Sequence, residues 1–208
     1  MSVLLFDLFG VIARTQSPAS LAEIEGLGEA PAAEFWAAYW ELRQPYDRGE
    51  ETGPEYFQTV GRRLGRTYSA QRLRELVDAD VRSWSAVDDQ MVDFVRRLAA
   101  GGHRLGLLSN IPLEHADDFE RRQPWLEVFE VRAFSCRIRH AKPEPGAYTW
   151  CLHALGVAAE EVLFIDDREP NVAAARSLGL RGHLFTSLSC LHEVARSATE
   201  DIGGATGR

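Results

Sequence analysis

Hydrophobic and polar positions along the chain follow two patterns, which change over at about residue 86. From Ala86 onward, apolar runs of strand length alternate with amphipathic stretches of helical period. Arg104-Leu105-Gly106-Leu107-Leu108-Ser109 predicts a strand, preceded by a helix over Asp88 to Ala100 that Gly101-Gly102 stops. Val131-Arg132-Ala133-Phe134 is a weaker strand, Glu161-Val162-Leu163-Phe164-Ile165-Asp166 a strong one, and Gly182-His183-Leu184-Phe185 an edge. Between them lie helical patterns over Pro145 to Leu155, closed by Gly156, and over Pro170 to Leu178, closed by Gly179. Strands apolar on both faces that alternate with helices mean a parallel sheet covered by helices, the α/β class. At the start of the chain, Leu4-Leu5-Phe6 reads as another buried strand and stops on a lone carboxylate, Asp7.

Residues 14–85 carry no convincing strand. They read as several helices joined by turns such as Gly49-Glu50-Glu51-Thr52-Gly53-Pro54. This segment separates the first strand from the rest of the sheet, so it is an insertion that emerges at the carboxyl end of that strand, where a lid belongs. The expected organisation is a core domain of residues 1–13 and 86–208 with a helical cap domain of residues 14–85. Trp36, Tyr39, Trp40, Tyr46, Tyr56 and Phe57 read as the cap's own small core. Arg43, Tyr46 and Arg48 are the cap residues of functional interest, although a solvated face is the more ordinary reading of them. The tail Gly203-Gly204-Ala205-Thr206-Gly207-Arg208 reads as a frayed end.

Composition narrows the function classes. A chain of 208 residues with 45% hydrophobic and 26% charged residues buries a sizeable core. Its formal net charge of -8 leaves no basic excess for a nucleic acid, while a single phosphate held by a few fixed donors stays open. Cys136, Cys151 and Cys190 form no CxxC pair, so neither a zinc site nor a disulfide framework is expected. The N-terminal apolar run is too short to span a membrane and has no basic flank, which predicts a cytoplasmic protein with no membrane partner. No GxxxxGK[ST] or GxGxxG cradle and no HExxH spacing occurs.

Four features fall where predicted strands end or helices begin: Asp7, Ser109-Asn110, Lys142-Pro143 and Asp166-Asp167. Each alone has a plain explanation as a cap, a turn, a solvated lysine or an acidic loop. A parallel sheet, however, brings its strand ends into one crevice. Two adjacent acids after a buried strand repel each other unless a cation sits between them. Hard oxygen ligands from Asp7, Asp166 and Asp167 suit Mg²⁺, and Lys142 offsets the charge of a carboxylate and a phosphoryl group. A carboxylate nucleophile attacking phosphorus gives an aspartyl phosphate.

The order FDLFGV, LLSN, AKPEPGAY and FIDDREPNV resembles the four signature motifs of the haloacid dehalogenase-like hydrolase superfamily, over essentially the whole chain. The resemblance implies a Rossmann-like, doubly wound parallel sheet with an inserted all-helical cap of the C1 type. It implies Asp7 as nucleophile, Ser109 as phosphate binder with Asn110 beside it, and Lys142 as the third-motif lysine. Asp166 and Asp167 are implied as metal acids, with the backbone carbonyl of Phe9 as a further Mg²⁺ ligand. The closest texture is the sugar-phosphate and epoxide-hydrolase N-domain branch, hence a small phosphorylated metabolite as substrate.

Departures from the family pattern are informative too. Most phosphatases of the superfamily carry Asp-x-Asp, whereas this chain has Asp7-Leu8-Phe9. An aromatic there resembles the 2-haloacid dehalogenases, but those use no metal and lack the acidic pair. Arg139 and Ala141 stand where relatives carry Gly and a basic residue. Phe9 supplies no proton to a leaving oxygen, which predicts slow turnover of alkyl phosphates, relieved by an aspartate at that position. Attack on carbon and a non-catalytic phosphate-binding module remain the alternatives.

Overall fold

Strand alternation sorts the side chains onto two cores. The computed structural model describes residues 3–191. It contains the strands β1 (Val3–Phe6), β2 (Arg104–Ser109), β3 (Val131–Phe134), β4 (Val162–Asp166) and β5 (Arg181–Leu184). They hydrogen-bond in the order β3-β2-β1-β4-β5, with every pair parallel. Leu4, Phe6, Leu105, Leu107, Leu163 and Ile165 face one core, which α6 (Asp89–Ala100) and α7 (Leu113–Arg122) cover. Val3, Leu5, Leu108, Val162 and Phe164 face the other, beneath α9 (Pro145–Leu155) and α10 (Glu169–Ser177). This is the doubly wound α/β arrangement that the sequence predicts, and its crossovers bring the strand carboxyl ends together.

Element ends differ from expectation by a residue. β5 and α10 each begin one position earlier than the apolar pattern suggests, because Arg181 pairs with Leu163 and Arg168 takes the helix cap position ahead of Pro170. The expected frayed tail at 203–208 lies outside the described residues.

The segment between β1 and α6 holds α1 (Pro18–Gly28), α2 (Ala32–Glu41), α3 (Arg43–Asp47), α4 (Gly53–Arg63) and α5 (Ala70–Ser83). Local chemistry starts several of them. Ser17 and Ser69 accept from the amides of Ser20 and Arg72, and the Glu55 carboxylate accepts from the Thr52 amide. Ile24, Phe35, Tyr39, Tyr46, Tyr56, Phe57, Val60 and Leu76 form a separate buried cluster. Two expectations are corrected here. Trp40 stays outside that cluster, 54% exposed. Arg43 and Tyr46 are buried rather than on a solvated face, because the guanidinium lies over the rings of Tyr39, Tyr46 and Tyr56 and pairs with Asp80 at 2.9 Å. Among the described residues, no helix is long and apolar enough to cross a membrane.

Candidate functional site

Asp7 is the first residue beyond β1, and its amide donates to the carbonyl of Ile165 at 2.8 Å, continuing the sheet by one bond. The chain then folds back on itself, with the amides of Ile12 and Ala13 both donating to the carbonyl of Leu8. Gly10 makes this turn at φ +83°, and a β-carbon there would stand 2.2 Å from Asp167 Oδ2. Only glycine lets the first loop approach the end of β4 so closely.

β4 ends on Asp166, which is fully buried, while the next residue, Asp167, is exposed. Oxygens of Asp166 accept from Lys142 Nζ at 2.7 Å, from the Arg168 amide at 2.8 Å and from Asn171 Nδ2 at 3.0 Å. Lys142 is the only lysine of the chain, and its ammonium also lies 2.6 Å from Asp7 Oδ1. A compact ammonium fits between two carboxylates where a planar guanidinium fork does not. Asn110 holds the lysine's backbone from both sides, accepting from its amide and donating to its carbonyl at 2.8 Å each. α8 (Ser135–Ile138), after β3, leads into this loop, and Arg139 closes it at φ +60°. That is the left-handed conformation glycine adopts freely, at the position where the motif resemblance leads one to expect glycine.

Charges at this centre are unevenly satisfied. Burial, with Asp166 and Asp167 as like-charged neighbours, pushes the Asp7 carboxyl up to about 8 against the pull of Lys142. Burial acts the same way on Asp166, but Lys142 and the donors from Arg168 and Asn171 outweigh it and hold that carboxyl below its ordinary value. Asp167, open to the cavity on one side, is raised by partial desolvation on the other and by Asp166. Lys142 is raised, because its two carboxylate neighbours overcome the cost of burial.

One oxygen from each of Asp7, Asp166 and Asp167 lies within 4.8 Å of the others. Three hard oxygen donors with two unrelieved negative charges fit a small divalent cation such as Mg²⁺. Asp166, already accepting from three partners, offers it the least.

A cavity of about 390 Å³ opens over Asp7, Lys142 and Asp167. Of the strand-end residues singled out in the sequence, Asp7, Phe9, Asn110, Lys142 and Asp167 lie on its wall, joined by Trp40 and Arg43 of the insertion, and Asp166 lies behind them. Ser109 is the exception among them, for it is fully buried, is not on the wall, and its hydroxyl has no hydrogen-bond partner among the described residues. The Phe9 ring meets Trp84 and Phe119 edge-on, at 4.9 and 5.5 Å between centroids. Asn171 and Trp84 went unnoticed in the sequence. Asn171 stands five residues past Asp166, in the first turn of α10, a spacing that returns a side chain to the strand end. Trp84 carries no motif.

These features define an α/β protein whose strand ends gather three carboxylates and a lysine beside a helical insertion. The chain belongs to the haloacid dehalogenase-like hydrolase family, whose model matches residues 1–179. It is similar to drimenol cyclase drtB of Aspergillus calidoustus, 28% identical over 215 residues that take in 99% of this chain and 37% of that protein. The chain thus spans little more than a third of that relative. It is also 26% identical to sesquiterpene phosphatase astK of Aspergillus oryzae, over 91% of this chain and 93% of that one. A HAD-family enzyme of Bacteroides thetaiotaomicron, solved with magnesium and inorganic phosphate, shares the fold with a TM-score of 0.75. Its identity is 22%, over 92% of this chain and 98% of its own.

Proposed function

We propose that this hydrolase is a Mg²⁺-dependent phosphomonoesterase acting on a small phosphorylated metabolite, with Asp7 as nucleophile. The carrying observation is the Asp7 carboxylate at the floor of the cavity, 2.6 Å from the only lysine and within reach of Asp167. Asp7, Asp167 and the backbone carbonyl of Phe9 would hold Mg²⁺, with Asp166 behind them, and the bound ion would supply the charge that lets a carboxylate approach a phosphoryl group. Asp7 attacks phosphorus, the bond from phosphorus to the ester oxygen breaks, the leaving oxygen takes its proton from solvent water, and a further water hydrolyses the aspartyl phosphate to phosphate and free Asp7. Lys142 offsets the charge shared by Asp7 and the equatorial oxygens. The amides beside Ser109, Asn110 included, would bind those oxygens, with the Ser109 hydroxyl acting from its buried position behind the wall rather than on it. Residues 14–85 act as the cap over a core of 1–13 and 86–208. The similarity to a sesquiterpene phosphatase supports the phosphatase assignment.

Attack on carbon has one observation in its favour, the aromatic side chain at position 9, and the acidic cluster weighs against it. The two separate on metal dependence. Turnover of an aryl phosphate should require Mg²⁺, stop on chelation, and fall at least about 10⁴-fold in Asp7→Asn with an unchanged circular dichroism spectrum. Phosphatase activity that survives complete chelation, or near-full activity in Asp7→Asn, would overturn the proposal.

A further inference from the structure

One side of the cavity differs from the charged floor. Phe9, Trp84 and Trp40 form a continuous aromatic wall, with Phe9 and Trp84 centroids 4.9 Å apart and Trp84 and Trp40 centroids 6.2 Å apart. The wall is fixed from behind, Phe9 by Phe119 at 5.5 Å and Trp40 by Tyr39 at 4.8 Å. Its one indole donor at depth, Trp84 Nε1, is directed to the Tyr39 hydroxyl at 3.4 Å. Trp40 nevertheless leaves 54% of its surface exposed beside the cavity.

Away from the floor, Asn110, Asn171 and Arg43 are committed to other protein groups, while Thr15 and Arg168, also on the lining, are exposed to solvent. Both ends of the Asn110 carboxamide bind the Lys142 backbone. Arg43 Nε binds Asp47 at 2.9 Å, and Arg43 Nη1 binds Asp80 at 2.9 Å and the Tyr39 hydroxyl. A polyhydroxylated body would bury several hydroxyls against a wall that offers them few partners, and each unpaired hydroxyl costs affinity. A hydrocarbon body meets no such cost.

We propose, on the phosphomonoesterase reading of this site, that the alcohol part of the substrate is an apolar chain or ring seated against Phe9, Trp84 and Trp40, rather than a sugar. The volume sets its size. Taking about 30 Å³, the volume one water molecule occupies in the liquid, as the share of a heavy atom, a cavity of about 390 Å³ holds on the order of a dozen heavy atoms. With the phosphate on the floor, roughly eight carbons remain for the body. Each methylene withdrawn from water is worth about fourfold in affinity.

A chain-length series tests this. With Mg²⁺ present, kcat/KM for straight-chain monoalkyl phosphates should rise about fourfold per methylene from ethyl to about octyl and then level off. Octyl phosphate should be preferred to glucose 6-phosphate by at least about 10²-fold. Trp40→Ala should flatten the slope of the series, and Trp40→Phe should keep most of it. Calorimetric binding of the matching alkylphosphonates, with Mg²⁺, reads the same slope without turnover. If no phosphate ester turns over while the phosphonate slope stands, the phosphatase reading fails and the apolar subsite survives. A flat series in both measurements, or a preference for glucose 6-phosphate, overturns the subsite.

Discussion

Phe9 stands where most phosphatases of the family carry an acid, and the structure changes what that substitution means. From the motif alone, an aspartate at position 9 restores a general acid worth about 10²–10⁴-fold. The ring, however, is packed edge-on against Trp84 and Phe119, contacts worth about 0.5–1.5 kcal/mol each. A carboxylate there would enter an apolar wall close to Asp7, whose own charge is already resisted by burial and by Asp166 and Asp167. Phe9→Asp should therefore lose about 1–3 kcal/mol of stability in urea unfolding and gain nothing on octyl phosphate. A folded variant that turned over octyl phosphate faster than the parent would return position 9 to the role its motif suggests. The motif residues were legible as types. The environment of Phe9 was not, because Trp84 and Phe119 reach it from distant parts of the chain.

At the scale of elements, the helical insertion and the core are joined by one buried ionic cluster. Asp80 of α5 accepts from Arg43 of α3 and from the Tyr39 hydroxyl of α2, and His115 Nε2 of α7 lies 3.3 Å away. Burial alone would raise the Asp80 carboxyl, yet Arg43 and His115 outweigh it and hold the group well below the usual carboxylate range. A depressed folded value stabilises the protein above the unfolded value, and the gain is lost as pH falls below about 4. Asp80→Asn should thus destabilise near pH 7 by about 1–3 kcal/mol, short of the roughly 3–5 kcal/mol for a fully unpaired buried charge, since Arg43 keeps Asp47 as a partner. The gap between parent and variant should narrow as urea titrations move from pH 5 to pH 3, and a gap independent of pH would contradict this account. Nothing in the local sequence around Arg43 or Asp80 marks either as buried. Helical period gives each a face, and the packing of four helices decides which face is closed.

Across the whole molecule, three unrelieved features coincide at the carboxyl ends of the sheet: the raised Asp7 carboxyl, the raised Asp167 carboxyl and the unpartnered Ser109 hydroxyl. A cation bound only by the folded state relieves the two raised carboxyls together, by about 2.7 kcal/mol at a hundredfold excess over Kd. For a chain of this size, Mg²⁺ should raise Tm by roughly 5–10 °C. Gly10→Ala should remove most of that shift, because its β-carbon would collide with Asp167 Oδ2. Calorimetric melts with and without Mg²⁺ check both, and an equal shift in parent and variant would remove Asp167 from the cation site.

The sequence by itself determined the α/β class, the alternation that sends Leu4 and Phe6 to one core and Val3 and Leu5 to the other, and the four strand-end features. It could do so because hydrophobic period and side-chain type are local properties that parallel topology converts into a shared crevice. Tertiary structure alone decided the rest. It buried Arg43 against Asp80, left Trp40 exposed beside the cavity, drew Asn171 onto Asp166, and kept Ser109 off the cavity wall. Each of these depends on which residues distant in sequence arrive at the same place, and burial, charge and partner supply at that place are properties no single segment carries.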